Sequence, residues 1–249
     1  MRAPSGNVSA CVGLEATMPR PPMTPAKYWS EVQLLSAEIE DAIVIFHTYE
    51  EINRLAIHDK ATLRLLNKDP LFWQTQMHCL QTSLFLTLSR IFDTEANAHT
   101  IHTLINATLG NLQLFSAAEL ASRKTGGGSK PAWLDNYMAE AWIPKGVKDL
   151  RHLKKALVPH SRRFEQVYRP IRHAIFAHRL MSNEQAGVQL FGGTSRDEVS
   201  SILDFLHDLI EGILNLYTNG LNPELGKRDF RQHNQRIRDG VGKVLRRLR

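Results

Sequence analysis

The stretch Thr24-Pro25-Ala26-Lys27-Tyr28-Trp29-Ser30-Glu31-Val32-Gln33-Leu34-Leu35-Ser36-Ala37-Glu38-Ile39, continued to Ile52, decides the fold class. Thr24 is a residue type that caps helix starts, and Pro25 suits the first turn, where its missing N–H has no partner to lose. Tyr28, Val32, Leu35, Ile39, Ala42, Ile43, Phe46, Tyr49 and Ile52 then recur at steps of three and four. That is the period of one buried helix face, so the stretch reads as a long amphipathic helix. Asp69-Pro70 opens a second one through Phe72, Trp73, Met77, Leu80, Leu84, Leu88 and Ile91, ending near Asp93. Its length makes it an antiparallel partner for the first.

Working outward, further helices are expected over 99–109 and 112–123, and Gly126-Gly127-Gly128-Ser129 marks a loop tip. No GKS or GKT follows those glycines, so they are not a phosphate loop. Lys130-Pro131 reopens a helical stretch toward Trp142, and a basic helix runs from Lys145 through Tyr168 with Pro159 as a kink or break. Pro170 starts another helix. Beyond it, Ser182 to Gly193 reads as a loop in which Val188, Leu190 and Phe191 form a short extended segment. Ser195 and Glu198 match a capping box for a helix carrying Val199, Ile202, Leu206, Leu209, Ile213 and Leu216, which stops at Asn219-Gly220. Trp29, Trp73, Trp133 and Trp142 are expected as core anchors. Strand-like alternation and solenoid repeats are both missing, so the chain reads as all-α.

The chain has 249 residues, 43% apolar and 22% charged, which is ordinary for a globular protein with a sizeable core. Its most hydrophobic helix, Ile202 to Tyr217, is interrupted by Asp204, His207, Asp208 and Glu211, which fits a buried helix and not a membrane span. Residues 1–23 are rich in proline and glycine without a secretory apolar core, and read as a disordered tail, with Met18 and Met23 as alternative starts. The expected layout is therefore a 1–23 tail, a 24–220 bundle and a basic 221–249 segment. Cys11 and Cys79 support neither a disulfide framework nor a cysteine metal site, so a reducing cytoplasm is the expected setting. Net charge is +6, and residues 226–249 hold nine basic residues against Asp229 and Asp239, leaving the rest near neutral. This segment is an electrostatic handle for a polyanion, or a helix docked through Val241, Val244, Leu245 and Leu248.

Chemistry concentrates in Ile171-Arg172-His173-Ala174-Ile175-Phe176-Ala177-His178-Arg179. On a helix, Arg172 and His178 stand about 120° and 9 Å apart, a gap an arginine side chain largely covers. Arginine keeps its charge and offers a flat fork of donors to phosphate oxygens, while histidine titrates near neutrality. The pair suits phosphodiester cleavage without a metal: histidine moves a proton at a ribose 2′-hydroxyl or at the leaving oxygen, and arginine stabilises charge on the phosphoryl oxygens. His173 and Arg179 are further phosphate-binding candidates. The plainer alternative makes Arg172 the partner of a carboxylate and His178 a helix-end hydrogen bonder. Arg90 and Asp93, three apart, read as an intrahelical ion pair or as supports of the motif helix. His99 and His102 share a face, but nothing nearby completes a metal site.

An arginine followed within four to six residues by a histidine, late in an all-helical chain, resembles the HEPN superfamily. Leu86-Thr87-Leu88-Ser89-Arg90-Ile91-Phe92-Asp93 closing a long helix, with Ile175-Phe176-Ala177-His178-Arg179 some eighty residues on, resembles its abortive-infection AbiU-like branch. The resemblance spans roughly Thr24 to Asn219 and departs at His173, where many HEPN ribonucleases carry asparagine or aspartate. It implies a helical bundle with long antiparallel helices and a metal-independent, cofactor-free RNA endonuclease of a defence or toxin–antitoxin type. In that reading Arg172 and His178 are catalytic, and His173, Arg179, Arg90 and Asp93 bind or support. It also implies a homodimer, RNA as substrate and an antitoxin partner. The reading from a different class is a noncatalytic helical module that binds a partner protein or a nucleotide.

Overall fold

Thr24 accepts the Lys27 N–H at 3.2 Å and Pro25 fills the first turn, starting α1, Pro25–His58. This computed structural model describes residues 23–95, 98–171 and 194–249, and every regular element among them is helical. The first helix runs past Ile52 to His58, and Asp59 both ends it and starts the next. Its N–H bonds the Leu55 carbonyl at 2.8 Å while its carboxylate accepts from Ala61 N and Thr62 Oγ1, both at 3.0 Å. There α2, Lys60–Lys68, begins, followed by α3, Pro70–Ile91.

Side-chain pairs fix the topology. Gln81 donates to the Tyr49 hydroxyl at 2.7 Å and Arg90 to Glu38 at 2.9 Å, so α3 lies antiparallel to α1, as its length led us to expect. After α4 (Ile101–Gly110), a 3₁₀ turn (Leu112–Phe115), α5 (Ala117–Thr125) and α6 (Leu134–Glu140), the chain enters α7, Val147–Arg163. That helix runs antiparallel to α4, with Lys154 on Asn106 at 3.0 Å and Ser161 beside His102 at 3.4 Å. The next long helix is α8, Arg196–Asn219, antiparallel to α1 through Arg196–Glu50 at 3.3 Å and Tyr217 Oη donating to Pro25 O at 3.1 Å. The last, α9, Arg231–Arg247, lies parallel along α1, with Arg249 reaching Asp59. Tyr28, Leu35, Ile39, Leu88, Ile91, Leu150, Leu153, Ile171, Leu206, Leu209 and Ile213 fill the core. Tyr28 is fully buried with its hydroxyl 2.8 Å from Thr108 Oγ1, and burial raises its phenol well above the usual range.

Several local expectations are corrected. Pro159 does not break α7, because Leu153 and Leu157 before it and Phe164 after it are all buried, and that packing outweighs the roughly 3 kcal/mol a mid-helix proline costs. Trp133 is 49% exposed, and Trp29 and Trp142 are half-buried against the core and not within it. Ser195 caps α8 by accepting the Glu198 N–H at 3.1 Å, but the Glu198 carboxylate bonds Arg163 instead of completing a capping box. On α9 only Leu245 of the expected apolar four is buried; Val244 and Leu248 are exposed. The expected 1–23 tail, apart from Met23, and the extended segment at Val188, Leu190 and Phe191 lie outside the described residues. The stop at Gly220 holds for a steric reason. Its φ is +59°, its carbonyl accepts the Trp142 N–H at 2.7 Å, and a Cβ would stand 2.5 Å from Leu120 Cδ2.

Histidines line the seam where α9 meets α1 and α8. His47 is buried, and the Arg238 guanidinium stands 3.3 Å from its Nδ1. His207 stacks on Phe230 with centroids 3.8 Å apart. Burial first, and the neighbouring cationic groups next, push both imidazoles down to about 4. The unfolded chain protonates these histidines near pH 6.5, so their neutral packing stabilises fully above that pH and is lost as pH falls toward 4. His47→Gln is therefore expected to flatten the pH dependence of unfolding free energy between pH 6 and 5, by about 1 kcal/mol per pH unit, in urea titrations. Equal slopes in both proteins would contradict the assignment.

Candidate functional site

The path from fold to candidate chemistry runs along α7. At its end Phe164–Tyr168 form a π turn, in which the Arg169 N–H donates to the Phe164 carbonyl five residues back. Such turns recur at functional sites. Phe164, Tyr168 and Ile171 are buried at steps of four and three, with the Phe164 ring stacked on Phe92 at 5.1 Å and 13°. The apolar stripe expected to carry the motif helix is thus anchored as far as Ile171. Arg172, His173, His178 and Arg179 lie outside the described residues.

Two carboxylates govern the cations on this approach. Arg169 donates to Glu165 Oε2 at 2.7 Å, and the carboxylates of Glu165 and, at longer range, Asp93 hold its guanidinium more firmly protonated than usual. Arg163 makes a two-pronged bond to Glu198, through Nε to Oε1 and through Nη2 to Oε2 at 2.7 Å. This contact joins the end of α7 to the first turn of α8, and the Arg163 hydrogen bonds hold the Glu198 carboxyl below its usual range. Residues 163 and 198 flank the motif in sequence, so one ion pair ties together the helices on either side of it.

Arg90 and Asp93 do not pair with each other. The α3 helix ends at Ile91, and Phe92 turns away with φ −95° and ψ 7°, so residue 93 is not one turn onward on the same face. Arg90 instead binds Glu38 on α1 through Nε (2.9 and 3.2 Å) and Thr87 through Nη2 (3.2 Å). The Asp93 Oδ1 accepts the Glu95 N–H at 3.0 Å. His99 binds Glu31 at 2.5 Å and His102 lies by Ser161, so the two do not converge. Among the described residues no group of His, Cys, Asp or Glu side chains is arranged to hold a metal ion, and no helix is long and apolar enough to cross a membrane.

Reasoning from sequence missed two features. One is the Arg163–Glu198 pair, hidden because a capping box claimed Glu198. The other is the disposition of cations. Of the nine Lys and Arg residues in 226–249, Lys227, Arg228, Arg231, Arg238 and Arg249 have partners in Glu224, Asp208, Asp229, His47 and Asp59, while Arg236, Lys243, Arg246 and Arg247 form no hydrogen bond or ion pair among the described residues. Among the described residues Lys148, Arg151, Lys155 and Arg162 on α7 form no hydrogen bond or ion pair, and all are exposed. A helical-wheel count over 145–168 sets the four on one side of the helix, but their lack of partners is not readable from sequence.

A double-mutant cycle with Arg163→Gln and Glu198→Gln is expected to give a coupling of about 1 kcal/mol, partly screened by solvent. Each single variant should lower the melting temperature by about 2–4 °C. Additive effects would mean the pair does not join the helices.

No curated protein and no solved structure matches the chain. The family model described as AbiU2 matches residues 30–241, from the first turns of α1 well into α9. The helical architecture agrees with a HEPN fold. The chain therefore belongs to the HEPN AbiU2 family of abortive-infection-associated proteins.

Proposed function

We propose that the protein is a metal-independent RNA endonuclease of a defence or toxin–antitoxin type, with Arg172 and His178 acting on the phosphodiester. The observation that carries this is the Arg172–His178 spacing in a chain of the AbiU2 family. A helix rich in unpaired cations leading to Ile171, the residue before Arg172, supports it. In the reaction the 2′-oxygen of a ribose attacks the adjacent phosphorus and the bond to the 5′-oxygen breaks. His178 takes the 2′-hydroxyl proton or delivers one to the 5′-oxygen, and Arg172 stabilises charge on the non-bridging oxygens. His173 and Arg179 add donors for the phosphate, and Asp93 and Arg90 support the helix ends around them.

The active form is a homodimer in which two copies of the motif face one RNA, doubling the positive charge on it. It works in the cytoplasm, where an antitoxin partner restrains it. A noncatalytic module that binds a partner protein or a nucleotide is the second reading, favoured by His173 standing where asparagine or aspartate is common.

Cleavage of labelled single-stranded RNA and tRNA by the purified protein in EDTA decides between the two. His178→Ala is expected to slow cleavage by roughly 10²- to 10⁴-fold while keeping its circular dichroism and melting temperature. Arg172→Ala should be similarly impaired. A wild type that cuts none of these RNAs, or a His178→Ala protein that cuts as fast, would favour the binding module.

A further inference from the structure

Helix α7 carries Lys148, Arg151, Lys155 and Arg162 in single file on the side away from the core. At about 100° and 1.5 Å per residue the four fall within an arc of about 60° and span about 21 Å. They lie roughly opposite Leu150, Leu153 and Leu157, which are buried. No carboxylate interrupts the file. Asp149 is turned to the helix start, where it accepts the N–H groups of Lys145 at 2.7 Å and Gly146 at 3.2 Å. Glu165 is occupied by Arg169. Among the described residues the four cations have no partner, so the file is open to a polyanion from outside.

The form of the charge selects among polyanions. One cation every turn or two along a line matches the spaced phosphates of a single strand better than a broad anionic surface, which a wide patch would serve. We propose that α7 is a track for the phosphate backbone of single-stranded RNA, held successively by Lys148, Arg151, Lys155 and Arg162. The identity of the polyanion rests on the ribonuclease reading above, but the track is tested by binding alone.

The probe is a fluorescent 2′-O-methyl oligoribonucleotide, which lacks the attacking hydroxyl and stays intact, titrated with the full-length protein by anisotropy over a range of salt. The variant combines Lys148→Gln, Arg151→Gln, Lys155→Gln and Arg162→Gln, changes that keep helix propensity at exposed positions. Its affinity is expected to fall on the order of 100-fold near 0.1 M salt, with a log K against log salt slope shallower by about 3. The pair Lys148→Gln and Arg151→Gln should show about half that slope change, which guards against a folding defect in the larger variant. Arg236→Gln, Lys243→Gln and Arg247→Gln on α9 should together bind close to wild type.

Unchanged affinity in the α7 variant, an equal loss in the α9 variant, or a wild type that does not bind would each overturn the track. So would lost binding to phosphatidylglycerol vesicles with RNA affinity intact, which would make α7 a membrane-facing helix. A wild type that binds as expected yet cuts no RNA leaves the track standing and removes the chemistry. RNA cleavage with full binding by the α7 variant does the reverse.

Discussion

Burial of one face of α1 is the constraint on which the other helices depend. α3, α8 and α9 all pack on it, and α2 and α4 touch it. Tyr28, Val32, Leu35, Ile39, Ala42 and Ile43 along that face are almost wholly removed from water. Each large apolar side chain so buried contributes about 1.5–3 kcal/mol, far more than any exposed ion pair between the same helices. Arg90–Glu38 and Arg196–Glu50 therefore set register, while the apolar stripe supplies the drive. The carboxylate of Glu51, buried in α1, is held by Arg54 through bonds of 2.7 and 2.6 Å.

α7 links that frame to the candidate chemistry. Leu150, Leu153 and Leu157 pin its inner face, Phe164 and Tyr168 continue the stripe through the π turn, and the Arg163–Glu198 pair fastens it to α8. A helix held on one side so completely can present charge on the other without shifting. Charge placement follows the same logic on α9, where Arg238 and Arg249 are drawn to His47 and Asp59 of the neighbouring α1 layer.

The helices α1, α3 and α8 were legible because each carries its own start signal and three-to-four period, and α8 its stop as well. The Asn219-Gly220 stop was readable since φ near +59° suits glycine at a helix end. Interhelical partners were not readable. Arg90 looked like the mate of Asp93 because both fit one helix, and only the end of α3 at Ile91 separates them. Glu198 fitted a capping box by spacing, yet a guanidinium from α7 offers it two charge-assisted bonds against one to a backbone amide. Val244 and Leu248 followed helical spacing, but α9 turns only part of that stripe inward. Of the candidate site, the motif and the basic character of α7 were legible in sequence, and the lack of partners for four of its cations was not.

The central claim is that Arg172 and His178 direct a ribose 2′-oxygen onto phosphorus without a metal. Its most direct test is the chemistry of the product ends, read by mass spectrometry after the protein has acted on single-stranded RNA in EDTA. Ends of 2′,3′-cyclic phosphate and 5′-hydroxyl are predicted. Fragments ending in 3′-hydroxyl and 5′-phosphate, which report attack by water from outside the strand, would contradict it.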